Sequence, residues 1–152
     1  MAYATSQPAT RERVLSRTEG VADASGKLLL RLLVGILVLL HGIAKLKSGP
    51  AQIIDTALAA GLPGAVGYLV YAGEVLAPLL LIVGLWTRLA ALVVAIDMVF
   101  AMVLVHGAQL LALNRQGGYA LELEACFLFG ALAILLLGAG RFSLGGLNGR
   151  WN

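Results

Sequence analysis

The chain has 152 residues, of which 60% are hydrophobic and 12% are charged, a balance that predicts an integral membrane protein. This composition excludes intrinsic disorder and collagen-like repeats. The single cysteine, Cys126, excludes an intramolecular disulfide, a CxxC redox pair, a structural zinc cluster and a cysteine-ligated iron–sulfur centre. The net charge is +3, but no basic run is dense enough for nucleic acid, so no nucleic-acid partner is expected.

Four apolar stretches approach the ~20 residues that a helix needs to cross a ~30 Å hydrocarbon core. They cover residues 28–46, 63–86, 89–106 and 119–138. Unpaired backbone groups are costly in lipid, and the runs are too continuous for barrel strands. The predicted fold is therefore all-α, an antiparallel four-helix transmembrane bundle over residues 28–141. A polar N-terminal tail (1–27) and a C-terminal tail (142–152) flank it.

The positive charges predict an orientation for this bundle. An even number of spans places both termini on one side, together with the short turn at residues 86–88. That side carries Arg11, Arg13, Arg17, Lys27, Arg31, Arg88, Arg141 and Arg150, and the other side carries Lys45, Lys47 and Arg115. The positive-inside tendency then predicts cytoplasmic termini in a bacterial inner membrane. The N-terminal segment is too hydrophilic for a signal peptide, so the first span is expected to remain in the mature protein.

The connection between the first two spans, residues 47–62, is long enough for a structure of its own. One helical face in it carries the apolar residues Ile53, Ile54, Ala57 and Leu58. This pattern predicts a short interfacial helix, or a flap over the outer mouth of the bundle.

Ionisable residues inside the spans are the main functional signal, because such groups face the bundle interior or a partner at membrane depth. Half of the eight acidic residues lie there: Glu74, Asp97, Glu122 and Glu124. On the first helix, Arg31, His41 and Lys45 fall within ~80° of one another. Their shared face is expected to line an anion or quinone-head site. The alternative is that Arg31 and Lys45 snorkel to opposite interfaces and His41 makes a structural hydrogen bond to a carboxylate.

Glu74 is the most informative acid. Pro78 lies four residues later and leaves the carbonyl of residue 74 without its usual helical donor. Tyr71, one turn earlier on the same face, can donate its hydroxyl to a ligand or to Glu74. Glu74 is therefore expected to line a site. The alternative is a salt bridge to a cation of the first helix that only fastens the bundle.

The remaining acids are less clearly placed. Asp97 lies at a depth similar to that of Glu74, so the two can share a proton or a cation. On a straight helix His106 points ~180° away from Asp97, so we expect His106 at the outer interface. Glu122 and Glu124 point ~160° apart, and one of them is expected to face water or another subunit.

No metal site is expected from these residues. The depths of the two histidines differ by ~7 Å, which disfavours a bis-histidine haem, and the chain has no Glu-x-x-His pair for a di-iron centre. A mixed site of His41, Glu74 and Glu122 stays open as an alternative.

The order of these motifs resembles the DoxX family of small bacterial four-span membrane proteins, from about residue 27 to residue 147. The first span carries Arg31, Gly35, His41-Gly42 and Lys45, and the central hairpin carries Glu74, Gly84, Thr87-Arg88 and Asp97-Met98. The end is similar in NRQGGYALELE and GAGRFSLGGL, although Gly145 stands where the family pattern has an acid. The resemblance implies a link to quinone-dependent redox systems, including the membrane part of thiosulfate:quinone oxidoreductase.

The leading hypothesis is a membrane subunit of a quinone-linked oxidoreductase that binds a quinone-like molecule in the bundle. Its catalytic residues are expected to be Glu74, Asp97 and His41, and the substrate-binding residues Arg31, His41, Lys45, Tyr71, Glu74 and Glu122. The alternatives are non-catalytic binding or transport of a small or lipid-like molecule, and a scaffold for a soluble redox enzyme. Expected partners are the lipid bilayer, a quinone or lipid-like ligand, a soluble redox subunit and a second copy of the chain. Whether the chain is itself catalytic stays open.

Overall fold

A computed structural model describes residues 8–146 and 151–152, with side chains from Gly20 onward. In this part of the chain every regular element is helical, and an isolated bridge joins Leu113 to Tyr119. The α-helices are α1 (Pro8–Ser48), α2 (Ala51–Ala59), α3 (Leu69–Tyr71), α4 (Ala77–Val83), α5 (Thr87–Phe100) and α6 (Glu122–Leu137). Short 3-10 helices span Gly64–Tyr68 and Gly107–Gln109, and π-helical segments span Ala72–Leu76 and Ala101–Val105.

Three helical stretches are long and apolar enough to cross a membrane: Gly20–Ser48, Gly64–Val83 and Thr87–Val105. They coincide with the first three predicted spans and confirm an all-helical membrane protein. The fourth predicted span is represented by α6, which has 16 residues. Its length of ~24 Å is below the ~30 Å of a hydrocarbon core, so a fourth span is not established by the helix itself.

The predicted N-terminal tail is helical from Pro8 onward, because α1 begins there and continues into the first span. Polarity marks where a helix leaves the membrane, but residues such as Arg, Glu, Ala and Leu propagate a helix in water as well. Residues 1–7 and 147–150, which belong to the two predicted tails, lie outside the described residues.

The helix Gly64–Val83 changes to π geometry at Ala72–Leu76, immediately before Pro78. A proline lacks the N–H that an α-helix would use to bond the carbonyl four residues earlier, here that of Glu74. A π turn bonds residues five apart instead, as the Ala77 N–H does to the Ala72 carbonyl. The proline that singled out position 74 in the sequence thus coincides with a widened helical turn around it.

Four helices pack around one apolar core: α1 contacts α4 and α6, and α5 contacts the same two helices. The core consists of Val34, Val38, Ala77, Leu81, Ala90, Ala91, Val94, Ala95, Met98, Phe127, Ala131 and Ile134. Large apolar side chains also cover the outside of these helices, including Leu40, Leu79, Val99, Phe129 and Leu136. Such an apolar exterior is what a protein surrounded by lipid presents, and it implies contact with a bilayer.

The predicted short helix in the first connection is present as α2, which crosses one end of the helical core. It packs on the 3-10 helix Gly64–Tyr68 and on the π segment Ala101–Val105, and Ala57 is the buried residue of α2 itself. Gly67 permits the close approach, since a Cβ there would lie 3.1 Å from the Ile53 carbonyl oxygen. We call this the α2 end of the molecule and the opposite one the Arg31 end.

Candidate ligand-binding site

A cavity of about 620 Å³ lies between the helices at the α2 end. Its walls are mostly apolar, with Val38, Val70, Ile96, Met98 and Phe127 among them. The polar residues that line it are His41, Lys45, Ser48, Gln52, Thr56, Glu74, Asp97, His106 and Glu124. Cavities of ~300–1,000 Å³ with apolar walls and a few polar groups are typical of small-molecule sites.

Glu74 and Lys45 form an ion pair in this cavity, between Glu74 Oε1 and Lys45 Nζ. The Glu74 residue is only 4% exposed, whereas about a third of the Lys45 side chain, 37%, is accessible. A charge at this depth needs a counter-ion, because the low dielectric of the surroundings otherwise penalises ionisation. The pair therefore explains how a carboxylate persists inside an apolar helix.

The ion pair depends on a close approach between two backbones. Gly42 of α1 lies directly against the Glu74 carbonyl, and a Cβ at position 42 would overlap that carbonyl group. Gly35 plays a similar part further along α1, where a Cβ would lie 3.2 Å from the Pro78 carbonyl oxygen. Small residues at these two positions let α1 pack close to the helix that carries Glu74.

A second carboxyl group, that of Asp97 on α5, lines the same cavity. Gly73, the neighbour of Glu74 in the chain, leaves room for it, since a Cβ on Gly73 would overlap the Asp97 carboxyl group. Glu74 Oε2 and Asp97 Oδ2 are both buried, and neither has a hydrogen-bond partner within the described part of the chain. These two carboxyl oxygens are therefore enclosed by the protein and do not face the open space of the cavity.

The two histidines of the sequence also line the cavity. The His41 ring meets the Phe127 ring edge to face, with ring centroids 5.9 Å apart, a favourable aromatic geometry. His106 Nε2 lies 3.7 Å from Glu124 Oε1. The cavity is therefore flanked by a histidine on α1 and by a histidine–glutamate pair contributed by the end of the α5 span and by α6.

His106 and Glu124 line the cavity but were not among the predicted site residues. For His106, a local change in helix type is the reason. The prediction assumed a straight α-helix, on which His106 points away from Asp97. The π segment Ala101–Val105 accommodates one extra residue in a turn and rotates the residues after it by about 100°. Nothing in AMVLV marks such a segment, so the sequence offered no signal for this rotation. For the glutamates, the sequence left the choice open, and the structure places Glu124 at the cavity.

Arg31 lies at the other end of the molecule, among backbone carbonyls. Its guanidinium donates to the carbonyls of Leu81 at 2.9 Å, Ala139 at 2.5 Å, Phe142 at 3.1 Å and Ile82 at 3.3 Å. Arg31 is 1% exposed, so its planar fork of donors is committed to the ends of α4 and α6. The structure therefore does not bring Arg31 together with Lys45 and Glu74, although all three were predicted to bind one ligand.

Tyr71 and Glu122, the other predicted binding residues, do not line the cavity either. The Tyr71 hydroxyl donates to the Lys45 backbone carbonyl at 3.5 Å, so it contacts the helix that carries Lys45 and not Glu74. Glu122 is exposed at the first turn of α6, near the loop residue Gly118. Of the predicted set, His41, Lys45, Glu74 and Asp97 meet at one cavity.

The glycine- and serine-containing segment that follows α6 hydrogen-bonds to the end of α4, at the Arg31 end of the molecule. The Gly145 and Leu144 N–H groups donate to the carbonyls of Gly84 and Val83, at 2.9 and 3.2 Å. A Cβ at Gly145 would overlap the side-chain amide of Asn152, so the acid of the family pattern could not occupy this position without displacing Asn152.

A metal site is not evident at the cavity. Among the side chains that the structure describes, those of residues 20–146 and 151–152, no group of three His, Cys, Asp or Glu is placed to hold a metal ion. The mixed site of His41, Glu74 and Glu122 is not assembled, because Glu122 lies outside the cavity.

These features define a helical membrane protein with an open, partly polar cavity between its helices. Comparison with known families then identifies the chain more narrowly: the DoxX family model matches residues 26–107, more than half of the chain. The chain belongs to the DoxX family, as its motifs predicted. The match covers the three spanning helices, with Lys45, Glu74 and Asp97, and ends before α6. No curated protein and no solved structure matches the chain.

Proposed function

We propose that this DoxX family protein binds a quinone-like amphiphile in the cavity at the α2 end, as the membrane subunit of a quinone-linked oxidoreductase. The observation that carries the proposal is the Lys45–Glu74 ion pair, with its buried carboxylate, in a cavity of about 620 Å³ whose walls are mostly apolar. Such a combination suits a ligand with a compact polar head and an apolar body.

The lining residues give each part of the ligand a partner. The head lies beside Lys45, Glu74 and Asp97, where Lys45 stabilises negative charge on oxygen and a carboxyl group exchanges protons. His41 donates a hydrogen bond to the head or accepts one from it. The apolar body packs against Phe127 and its neighbours.

The chain supplies protein groups for binding and proton exchange but no electron carrier of its own. It has no nicotinamide, flavin or haem fingerprint in its sequence, and quinone chemistry resides in the cofactor itself. The electron donor in this proposal is therefore a partner subunit, in line with the quinone-linked complexes that the family resemblance implies.

The proposed membrane arrangement makes α6 a fourth span in an antiparallel bundle. Arg31, near the start of the first span, bonds to carbonyls that follow α6 and that end α4, which supports alternating helix directions. The apolar stretch of residues 119–138 extends α6 by three residues before Glu122 and by Gly138 after Leu137, which lengthens its hydrophobic part. The excess of Arg and Lys at the Arg31 end then supports cytoplasmic termini in a bacterial inner membrane.

Ligand retention tests the binding part of this proposal. Protein purified in mild detergent is expected to carry a quinone at stoichiometric amounts, detected by native mass spectrometry followed by solvent extraction. Glu74→Gln removes the charge that pairs with Lys45 and is expected to lose the quinone. Glu122→Gln is the matched control, because it makes the same chemical change at an exposed position outside the cavity. Ordinary phospholipid alone in the wild-type protein, or full quinone retention in Glu74→Gln, would refute the assignment.

A second candidate is non-catalytic binding of a lipid-like molecule. The cavity walls are mostly apolar, and an amphiphile of either kind satisfies them. The two functions differ in one measurable respect: a lipid-binding protein retains its ligand equally in reducing and oxidising conditions, whereas a quinone subunit responds to redox state.

A further inference from the structure

The cavity is open on one side of the helical core. Three of the apolar residues that line it, Leu69, Ile96 and Phe100, are also 66%, 48% and 50% exposed. A side chain that lines a cavity and also lies on the outside of the molecule marks the edge of an opening. All three lie within helical stretches that are long enough to cross a membrane. The opening therefore faces the hydrocarbon of the bilayer.

This opening lies between the helix Gly64–Val83 and α5. The main contacts of that helix with α5 come from α4 and from the π segment Ala72–Leu76, and not from α3. At Gly73 the two helices are in close contact, since a Cβ there would overlap the Asp97 carboxyl group. The gap that the helices leave beside this contact is lined by Leu69, Ala72, Ile96 and Phe100, which we call the lateral groove.

The accessible charged groups of the cavity lie away from the lateral groove. Lys45 belongs to α1, and its side chain is 37% accessible. The side chains of His106 and Glu124, which follow the π segment Ala101–Val105 and begin α6, are 34% and 24% accessible. The cavity thus has charged groups on one side and an apolar opening on another.

The charged part of the cavity and the lateral groove adjoin each other. Glu74, which pairs with Lys45, is the residue directly after Gly73 in the chain. Gly73 and Ala72 both line the cavity, and Ala72 belongs to the groove. A ligand whose polar head lies beside Lys45 can therefore extend an apolar chain into the groove.

We infer that the cavity takes its ligand from the bilayer, and that the ligand is a long-chain amphiphile whose tail leaves through the lateral groove and remains in lipid. This inference rests on the proposed amphiphilic ligand and goes beyond it by naming the length of its tail and its route of entry. A tail of any length fits, because the part beyond Leu69 and Phe100 lies outside the protein.

The groove makes a specific prediction about affinity. An apolar tail that moves from lipid into an apolar groove exchanges one apolar environment for another, so it gains little free energy. The polar head therefore determines the affinity, provided that the tail has a way out. A closed cavity of about 620 Å³ would instead reject tails that exceed its volume.

Two probes that share one benzoquinone head test the inference. One carries a decyl tail, and the other carries an isoprenoid tail several times longer than decyl. Ligand-depleted full-length protein is placed in lipid nanodiscs, and native mass spectrometry measures the bound fraction at increasing mole fractions of each probe in the lipid. The long-tailed probe is expected to bind within about 3-fold of the decyl probe, or more tightly. Weaker binding of the long-tailed probe than this would overturn the inference.

Variants that fill the groove test the route of the tail. Ala72→Phe and Ile96→Trp add bulk there and are each expected to weaken binding of the long-tailed probe by about 10-fold. Ala44→Phe and Leu92→Trp make the same kinds of change at exposed positions that do not line the cavity, and they should bind as the wild type does. If Ala72→Phe does not fold, Ile96→Trp decides the outcome. Wild-type affinity in the folded groove variants would refute the route.

The same experiments separate this inference from the proposed function. If neither probe binds to the wild-type protein, the proposed quinone site itself is wrong. If the decyl probe binds and the long-tailed probe does not, the site stands and the lateral groove as the exit of the tail is refuted.

Discussion

Replacement of Arg31 by methionine tests whether the Arg31 end stabilises the fold while the α2 end binds the ligand. Methionine keeps much of the apolar length of the side chain but removes all donors to the carbonyls after α6 and at the end of α4. Hydrogen bonds from a charged donor contribute about 1.5–3 kcal/mol each. The two shortest bonds, to Leu81 at 2.9 Å and to Ala139 at 2.5 Å, account for most of the interaction.

The net effect is smaller than the sum of these bonds, because the variant no longer buries a guanidinium. We expect Arg31→Met to lower the free energy of unfolding by about 3 kcal/mol. For a chain of this length that corresponds to a fall in Tm of roughly 6–12 °C, measured by thermal unfolding in detergent. Arg31→Lys keeps the charge but not the planar fork, so its Tm is expected to lie between the two.

The control and the ligand assay complete this test. Arg141→Met removes an exposed arginine close to the same end and is expected to change stability by no more than ~0.5 kcal/mol. Arg31→Met protein that remains folded should bind a benzoquinone with a decyl tail as the wild type does, because Arg31 lies outside the cavity. An unchanged Tm combined with lost ligand binding would refute the reasoning and return Arg31 to the binding site.

Two glycines allow further predictions. Gly42→Ala is expected to destabilise the protein by about 1–3 kcal/mol and to reduce ligand binding, because its Cβ overlaps the Glu74 carbonyl; thermal unfolding and equilibrium dialysis measure both effects. Gly26→Ala, on the same helix with nothing within 4 Å of the added Cβ, should instead gain up to about 1 kcal/mol from helix propensity, and equal effects of the two changes would contradict the close approach. Gly73→Ala displaces the Asp97 carboxyl group and is expected to weaken quinone binding several-fold, whereas wild-type affinity in this variant would remove Asp97 from the site.

The polar side chains within the spans have different roles, although the sequence alone does not distinguish them. Arg31 and Lys45 are both cations of the first span, yet one is 1% exposed and bonded to backbone carbonyls, and the other is partly accessible within a cavity. A guanidinium at a helix end satisfies carbonyls that a helix leaves without donors. An ammonium beside a buried carboxylate instead leaves charge and hydrogen-bonding capacity for a ligand.

The composition alone determined that the protein is helical and lies in a membrane. Apolar runs of this length are stable in lipid only as helices, which is why the first three spans could be located from the sequence. The short helix α2 could be located from its one apolar face, which carries Ile53, Ile54, Ala57 and Leu58. The order of short motifs along these spans was also sufficient to identify the DoxX family. Glu74 and Lys45 could be singled out for the same reason, since ionisable residues at membrane depth need a partner or a function.

Which polar residues meet was decided only by the tertiary structure. Helical angles calculated for straight helices placed Arg31, His41 and Lys45 on one face, but Arg31 lies too far along α1 to reach the cavity and finds carbonyls instead. The π segment Ala101–Val105 rotated the residues that follow it about the helix axis and so brought His106 to the cavity. Glu122 and Glu124 were equivalent in the sequence, and the packing of α6 against α1 and α5 placed Glu124 at the cavity. Periodicity depends on local backbone geometry, whereas a binding site depends on how separate helices align, and in this protein that alignment follows from glycine contacts and a widened turn.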